Sequence, residues 1–116
     1  MALKISTRES TDVTILDVRG RLTSSDGQSL LRSQLQELIT NGVRRFLLNL
    51  ADLTQIDSSG VSTIVRSFCS VRGQGGDLRL LRPTGHALEV FKALHLLEMI
   101  PSFEEEKLAL ASFSPV

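Results

Sequence analysis

The sequence predicts one α/β domain over residues 1–116, with a mostly parallel central sheet, an antiparallel hairpin at its beginning and about four helices. Three observations predict this. Arg45-Phe46-Leu47-Leu48-Asn49-Leu50 has a nearly unbroken apolar centre, as a strand buried on both faces does. A helical stripe and a second apolar run, Leu78-Arg79-Leu80-Leu81, follow it, so strand, helix and strand form a βαβ unit whose crossover should be right-handed. Ahead of it, two β-patterned runs flank a polar turn.

The elements follow in order. Leu3 and Ile5 alternate with polar residues, Glu9-Ser10-Thr11-Asp12 reads as a turn, and Val13 to Val18 is a β-branched run that Gly20 ends. Ser25 with Gln28 resembles a capping box, and Leu30, Leu31, Leu35, Leu38 and Ile39 then recur at helical spacing. Asn41-Gly42 stops that helix, because glycine tolerates the left-handed cap conformation, and Val43 supplies the apolar residue beyond it. Past the central strand, Val61, Ile64, Val65, Phe68 and Cys69 make one stripe of a second helix, which places Cys69 among buried residues as a small hydrophobe. Gly73-Gln74-Gly75-Gly76 follows a helix and precedes a strand, the reverse of a phosphate loop, and reads as a helix stop and turn. Pro83-Thr84 opens a third helix carrying Leu88, Val90, Phe91 and Leu94. Met99-Ile100 reads as a last edge strand, and Ser102 with Glu105 as a second capping box whose run of glutamates suits a helix N-terminus.

Composition narrows the function. There are 13 basic and 13 acidic side chains, no Trp and no Tyr, so neither the basic face nor the stacking platforms of a nucleic-acid binder are visible in the sequence. No apolar run approaches the ~18 residues needed to span a bilayer, and the N-terminus lacks the apolar core of a signal peptide. One cysteine forms no internal disulfide. The expectation is a soluble cytoplasmic protein without direct membrane insertion.

The chemistry concentrates in Asp57-Ser58-Ser59-Gly60, between a strand and a helix. Asp57 or Ser58 can cap the helix by accepting a hydrogen bond from a first-turn N–H. One cap suffices, however, and the further small polar residues leave an accessible surface at the strand's carboxyl end, where ligands and partners of α/β sheets meet the protein. A phosphoryl group is also stabilised at a helix N-terminus. A serine hydrolase is not indicated: the G-x-S-x-G elbow is absent, and the two candidate bases have simpler roles. His86 reads as a solvated residue near the cap of the third helix, and His95 as a C-terminal cap in the left-handed region. One cysteine and two separated histidines make no metal set, and no cofactor is indicated.

The segment "LLNLADLTQIDSSGVSTIV" resembles the signature of the STAS domain family, the anti-sigma factor antagonists and their relatives. "LDVRGRLTSSDGQSLLRSQLQELITNG" is similar to the family's second strand, G-x-L turn and first helix, and "GGDLRLLRPTGHALEVFKALHLLEMI" to its last βαβ part. The resemblance implies a STAS-like fold and a regulator that is not an enzyme. It implies that Ser58, the first serine of D-S-S-G, is phosphorylated by a partner that is both anti-sigma factor and serine kinase, and that a PP2C-type phosphatase reverses the step. The unmodified form would bind the kinase. Ser59 is the competing acceptor; as a helix-start residue it should point toward the backbone or across the first turn, with Ser58 at the cap and its hydroxyl the more accessible. The resemblance assigns the partner interface to Arg21, Thr23 and Ser24 of the G-x-L turn. It adds Gln55, Ile56, Asp57, Ser59, Gly60, Val61 and Ser62 of the loop and helix start. Three positions depart from the family pattern: Thr23 replaces a frequent acidic residue, Ser62 a frequent glycine, and His95 a helix-stop glycine. The alternative within the resemblance is an adaptor subunit of a membrane transporter or a stress-sensing assembly.

Overall fold

Arg45–Asn49 (β3) lies at the centre of the sheet, as its apolar run requires. The computed structural model describes residues 2–23 and 25–113. β3 pairs in parallel with Val13–Leu22 (β2) on one side and Asp77–Leu81 (β5) on the other. Lys4–Ser10 (β1) adds an antiparallel edge to β2, and Ser102–Phe103 (β6) a parallel edge to β5. The fold is therefore α/β, with a mostly parallel sheet and one antiparallel hairpin. The helices are Ser25–Thr40 (α1), Ser58–Gly73 (α2), Gly85–Ala93 (α3) and Glu106–Ala111 (α4).

Alternation along the strands sends side chains to two cores. Leu16, Val18, Phe46, Leu48, Leu78 and Leu80 pack with residues of α1, α2 and α3 in the larger one. Val13, Ile15, Leu47 and Leu81 face the other way and pack with Ala109 and Phe113, so α4 closes the second face. Arg8 ties that closure to the hairpin: its guanidinium bonds Asp17 at 2.7 and 3.1 Å and Glu106 at 2.7 and 3.2 Å. Asn49 Nδ2 donates to Asp17 Oδ1 at 2.7 Å. The Arg8 hydrogen bonds hold the Asp17 carboxyl below its ordinary range against the opposing effect of burial, and Asn49 assists.

Several local expectations change. The hairpin turn is only Thr11-Asp12, both with positive φ (48° and 66°), while Glu9 and Ser10 belong to β1; paired left-handed residues match the strand twist. Gly20 does not end β2. It sits at φ 97° where the register shifts, and a Cβ there would lie 2.5 Å from the Ala2 carbonyl oxygen. Beyond this bulge β2 continues to Leu22 and pairs with Leu53–Ile56 (β4), a segment the sequence reads as loop. Ser25 is itself helical in α1 rather than its cap, and the position before it lies outside the described residues.

The Gly42 stop forms as read: Val43 N–H donates to Leu38 and Gly42 N–H to Ile39, with Gly42 at φ 96°. The stop after α2 repeats this geometry at Gly75. His95 takes the left-handed conformation (φ 56°) just past α3. Met99-Ile100 is not a strand; a 3-10 turn, Leu96–Glu98, precedes it, and the last strand is β6. The Ser102–Glu105 capping box is not formed, because Ser102 pairs with Leu80 and α4 starts at Glu106 without a side-chain cap. Cys69 is exposed, contrary to expectation. At roughly 100° per residue, Gly60, Thr63, Ile64, Ser67, Phe68 and Val71 occupy one side of α2 and Cys69 the other. The hydroxyls of Thr63 and Ser67 enter the buried side by bonding the carbonyls of Ser59 and Thr63, at 3.1 and 2.7 Å.

Candidate functional site

The site is the β4–α2 junction. Asn49 closes β3 by accepting the Ala51 N–H at 3.2 Å, and Leu50 N–H donates to Leu81 at 2.9 Å, so the chain leaves β3 in a fixed direction. β4 is then held from two sides. Toward β2, Arg21 is in register with Gln55 and Leu22 with Ile56, and Thr54 Oγ1 donates to the Gly20 carbonyl at 2.9 Å. Toward α3, Thr84 Oγ1 donates to the Ala51 carbonyl at 3.3 Å, and His86 Nε2 lies 3.0 Å from the Ile56 carbonyl oxygen.

Asp57 is the N-cap of α2, in extended backbone conformation, and its Oδ1 accepts the Gly60 N–H at 3.0 Å. Ser58 is therefore the first helical residue rather than the cap. Ser58 and Ser59 are both exposed, and among the described residues neither hydroxyl is engaged. Their N–H groups belong to the first turn and have no intrahelical acceptor. The helix dipole adds partial positive charge at this end, and the Asp57 carboxylate, held on the Gly60 N–H, belongs to the residue directly before Ser58. Gly60 has a steric reason: a Cβ there would lie 2.2 Å from the Leu22 carbonyl oxygen and 2.7 Å from Ile56 Cγ1. The first turn of α2 thus rests directly on the end of β2, bringing the G-x-L turn and the D-S-S-G turn together.

Of the positions the resemblance assigned, Arg21, Thr23, Gln55, Asp57, Ser58, Ser59 and Ser62 form exposed surface. Ile56, Gly60 and Val61 are buried below it and support it. Ser24 lies outside the described residues. The sequence reads His86 as a solvated residue; it is exposed, yet its ring is bonded to the site's backbone. No local signal marks this, because donor and acceptor are 30 residues apart.

Among the described residues neither histidine is bonded to a serine: His86 bonds the Ile56 carbonyl, and His95 bonds Glu98 at 2.5 Å. Among the described residues no group of three or more His, Cys, Asp or Glu side chains could hold a metal ion. No described helix is long and apolar enough to cross a membrane. A groove of about 780 Å³ lies between α1 and α2, lined by Ser29, Arg32, Leu35, Ile39, Arg66 and Ser70 among others. Along α2 it begins roughly 12 Å from Ser58, at 1.5 Å per residue, so it is separate from the junction.

Comparison with known proteins gives a consistent result. The STAS domain family model matches residues 4–109. Among solved structures, TM1081 of Thermotoga maritima superposes with TM-score 0.84 at 20% identity, covering 93% of this chain and 92% of its own. An anti-sigma factor antagonist from Mycobacterium paratuberculosis superposes with TM-score 0.83 at 11% identity, covering 96% and 93%. The Bacillus cell fate determinant SpoIIAA in its phosphorylated form superposes with TM-score 0.71 at 18% identity, covering 97% and 100%. At these identities the likeness concerns the fold.

Proposed function

Because this chain belongs to the STAS domain family, we propose that it is an anti-sigma factor antagonist working as a phosphorylation-controlled partner switch in a bacterial cytoplasm. Unmodified, it binds an anti-sigma factor that is also a serine kinase, and so frees the sigma factor or another client. The kinase transfers the γ-phosphoryl group of ATP to Ser58 Oγ; the hydroxyl proton is lost and ADP leaves. A PP2C-type phosphatase hydrolyses the phosphoserine to serine and inorganic phosphate.

The carrying observation is the placement of Ser58. It is exposed, at the first position of a helix, with its hydroxyl unengaged and Asp57 already supplying the cap. The fold is shared with SpoIIAA, a protein described in both unphosphorylated and phosphorylated forms. The physics of a switch follows from the site. A partner covers a neutral serine at little cost. Phosphorylation adds about −1.5 to −2 charges beside the Asp57 carboxylate. A surface shaped for the neutral hydroxyl would then have to desolvate that charge, a cost of several kcal/mol. Each ~1.4 kcal/mol is tenfold in affinity, so weakening of about a thousandfold is expected. The phosphoryl group is itself favoured at the helix N-terminus, so the fold need not change.

A binding titration of the partner kinase with wild type, Ser58→Ala and Ser58→Asp tests the role. The reading expects tight binding by the first two and weak binding by the third, although one carboxylate mimics a phosphate incompletely. Equal affinities would contradict it. Co-purification with a transporter subunit and no kinase binding would instead support the adaptor.

A further inference from the structure

The start of α3 holds the β4 segment at two points: Thr84, its N-cap, bonds Ala51 ahead of the strand, and His86 bonds Ile56, the strand's last residue. The His86 contact has a defined polarity. A carbonyl oxygen can only accept, so Nε2 carries the proton and Nδ1 is the other face of the ring. The residue is exposed, so the ring is not there to fill the core. The accepting carbonyl belongs to the peptide that joins Ile56 to Asp57. Rotation of that peptide would move the Asp57 side chain, whose Oδ1 must reach the Gly60 N–H to start α2 where it starts. Ser58 is the next residue. Ile56 itself is anchored by a buried side chain, so the peptide beyond it is the first point at which the junction could turn.

We propose that His86 is a positioning residue for Ser58: by donating to the Ile56 carbonyl it fixes the peptide from which Asp57 caps α2, and so sets how Ser58 is presented to the kinase. This rests on the partner-switch reading above. His86 transfers no phosphoryl group and no proton; it acts through the backbone. The loss of one hydrogen bond at an exposed ring leaves the cores untouched, which separates this role from a general contribution to stability.

The test compares wild type with His86→Phe, which keeps a ring without the donor, and His86→Gln, which restores an N–H donor. In the isolated chain, hydrogen exchange of the Gly60 amide reports the Asp57 cap. His86→Phe is expected to speed that exchange about tenfold, while amides of β3 and the thermal midpoint stay near wild type. With ATP and the serine kinase that modifies the wild-type chain, His86→Phe is expected to lower kcat/KM for Ser58 phosphorylation about tenfold, and His86→Gln to recover most of it. Wild-type behaviour of His86→Phe in both measurements would overturn the inference. So would a loss that His86→Gln does not rescue and that follows the thermal midpoint. If no serine kinase modifies wild-type Ser58, the switch reading falls and the presentation role with it. A modified wild type with an equally good His86→Phe substrate removes this inference alone.

Discussion

The Leu22 carbonyl oxygen lies where a Cβ on Gly60 would come within 2.2 Å of it. This contact between the end of β2 and the first turn of α2 forces glycine into the D-S-S-G turn. The Gly60→Ala variant must push α2 off the strand, because the obstructing atom is backbone and cannot rotate away. Overpacking of this kind costs about 1–3 kcal/mol. A fall in the thermal midpoint of roughly 5–15 °C is expected at this chain length. An unchanged midpoint would mean that the junction is looser than described.

The centre of the sheet gives the sharpest stability prediction. Leu48 is fully buried in β3 between β2 and β5. Leu48→Asp would bury a carboxylate without a partner, at several kcal/mol or more. Domains of this kind have only about 5–15 kcal/mol in hand. Circular dichroism should show an unfolded or severely destabilised chain; a native spectrum with a near-wild-type midpoint would contradict the core assignment.

The Arg8–Asp17–Glu106 cluster carries a pH dependence. The Asp17 carboxyl is held below the ordinary aspartate range of about 3.8, chiefly by the Arg8 hydrogen bonds. A carboxyl depressed in the folded state stabilises above its unfolded pKa, and that contribution is lost as pH falls through the folded value. Asp17→Asn should therefore lower stability near neutrality, by about 1 kcal/mol given a half-exposed arginine partner. The gap to wild type should close as pH drops below about 3.8. Chemical denaturation of both proteins across that range checks it, and a gap that widens in acid would reverse the assignment.

Cys69 is exposed on the outer side of α2. Native-state alkylation should proceed at a rate comparable with that of the denatured chain. Strong protection, of about a hundredfold or more, would place it back in the apolar stripe.

These corrections show what local pattern can carry. The apolar run of β3, the helical spacing of Leu31, Leu35 and Ile39, and the glycine stops at Gly42 and Gly75 are local signals, and all appear in the fold. β4 was illegible because it has four residues, two of them exposed, and exists only by pairing with β2 beyond a bulge. The apolar pattern misplaces Cys69 because Thr63 and Ser67 satisfy their hydroxyls on helix carbonyls and take the buried side instead. At the site, Asp57, Ser58, Ser59 and Gly60 were legible as a helix start. Which residue caps it was not, since aspartate and serine both serve. The His86–Ile56 bond and the Arg8–Glu106 pair join residues 30 and 98 positions apart, and only the fold reveals them.

Ser58 is the proposed phosphoryl acceptor. Ser59 is exposed as well, so exposure does not single out Ser58. The distinction rests on the resemblance, which matches the acceptor to the residue directly after the Asp57 cap. Site-resolved mass spectrometry of the chain after incubation with the partner kinase and ATP decides it most directly. Phosphate is expected on Ser58 in wild type and none on Ser58→Ala. Phosphate found only on Ser59, or unchanged incorporation into Ser58→Ala, would contradict it.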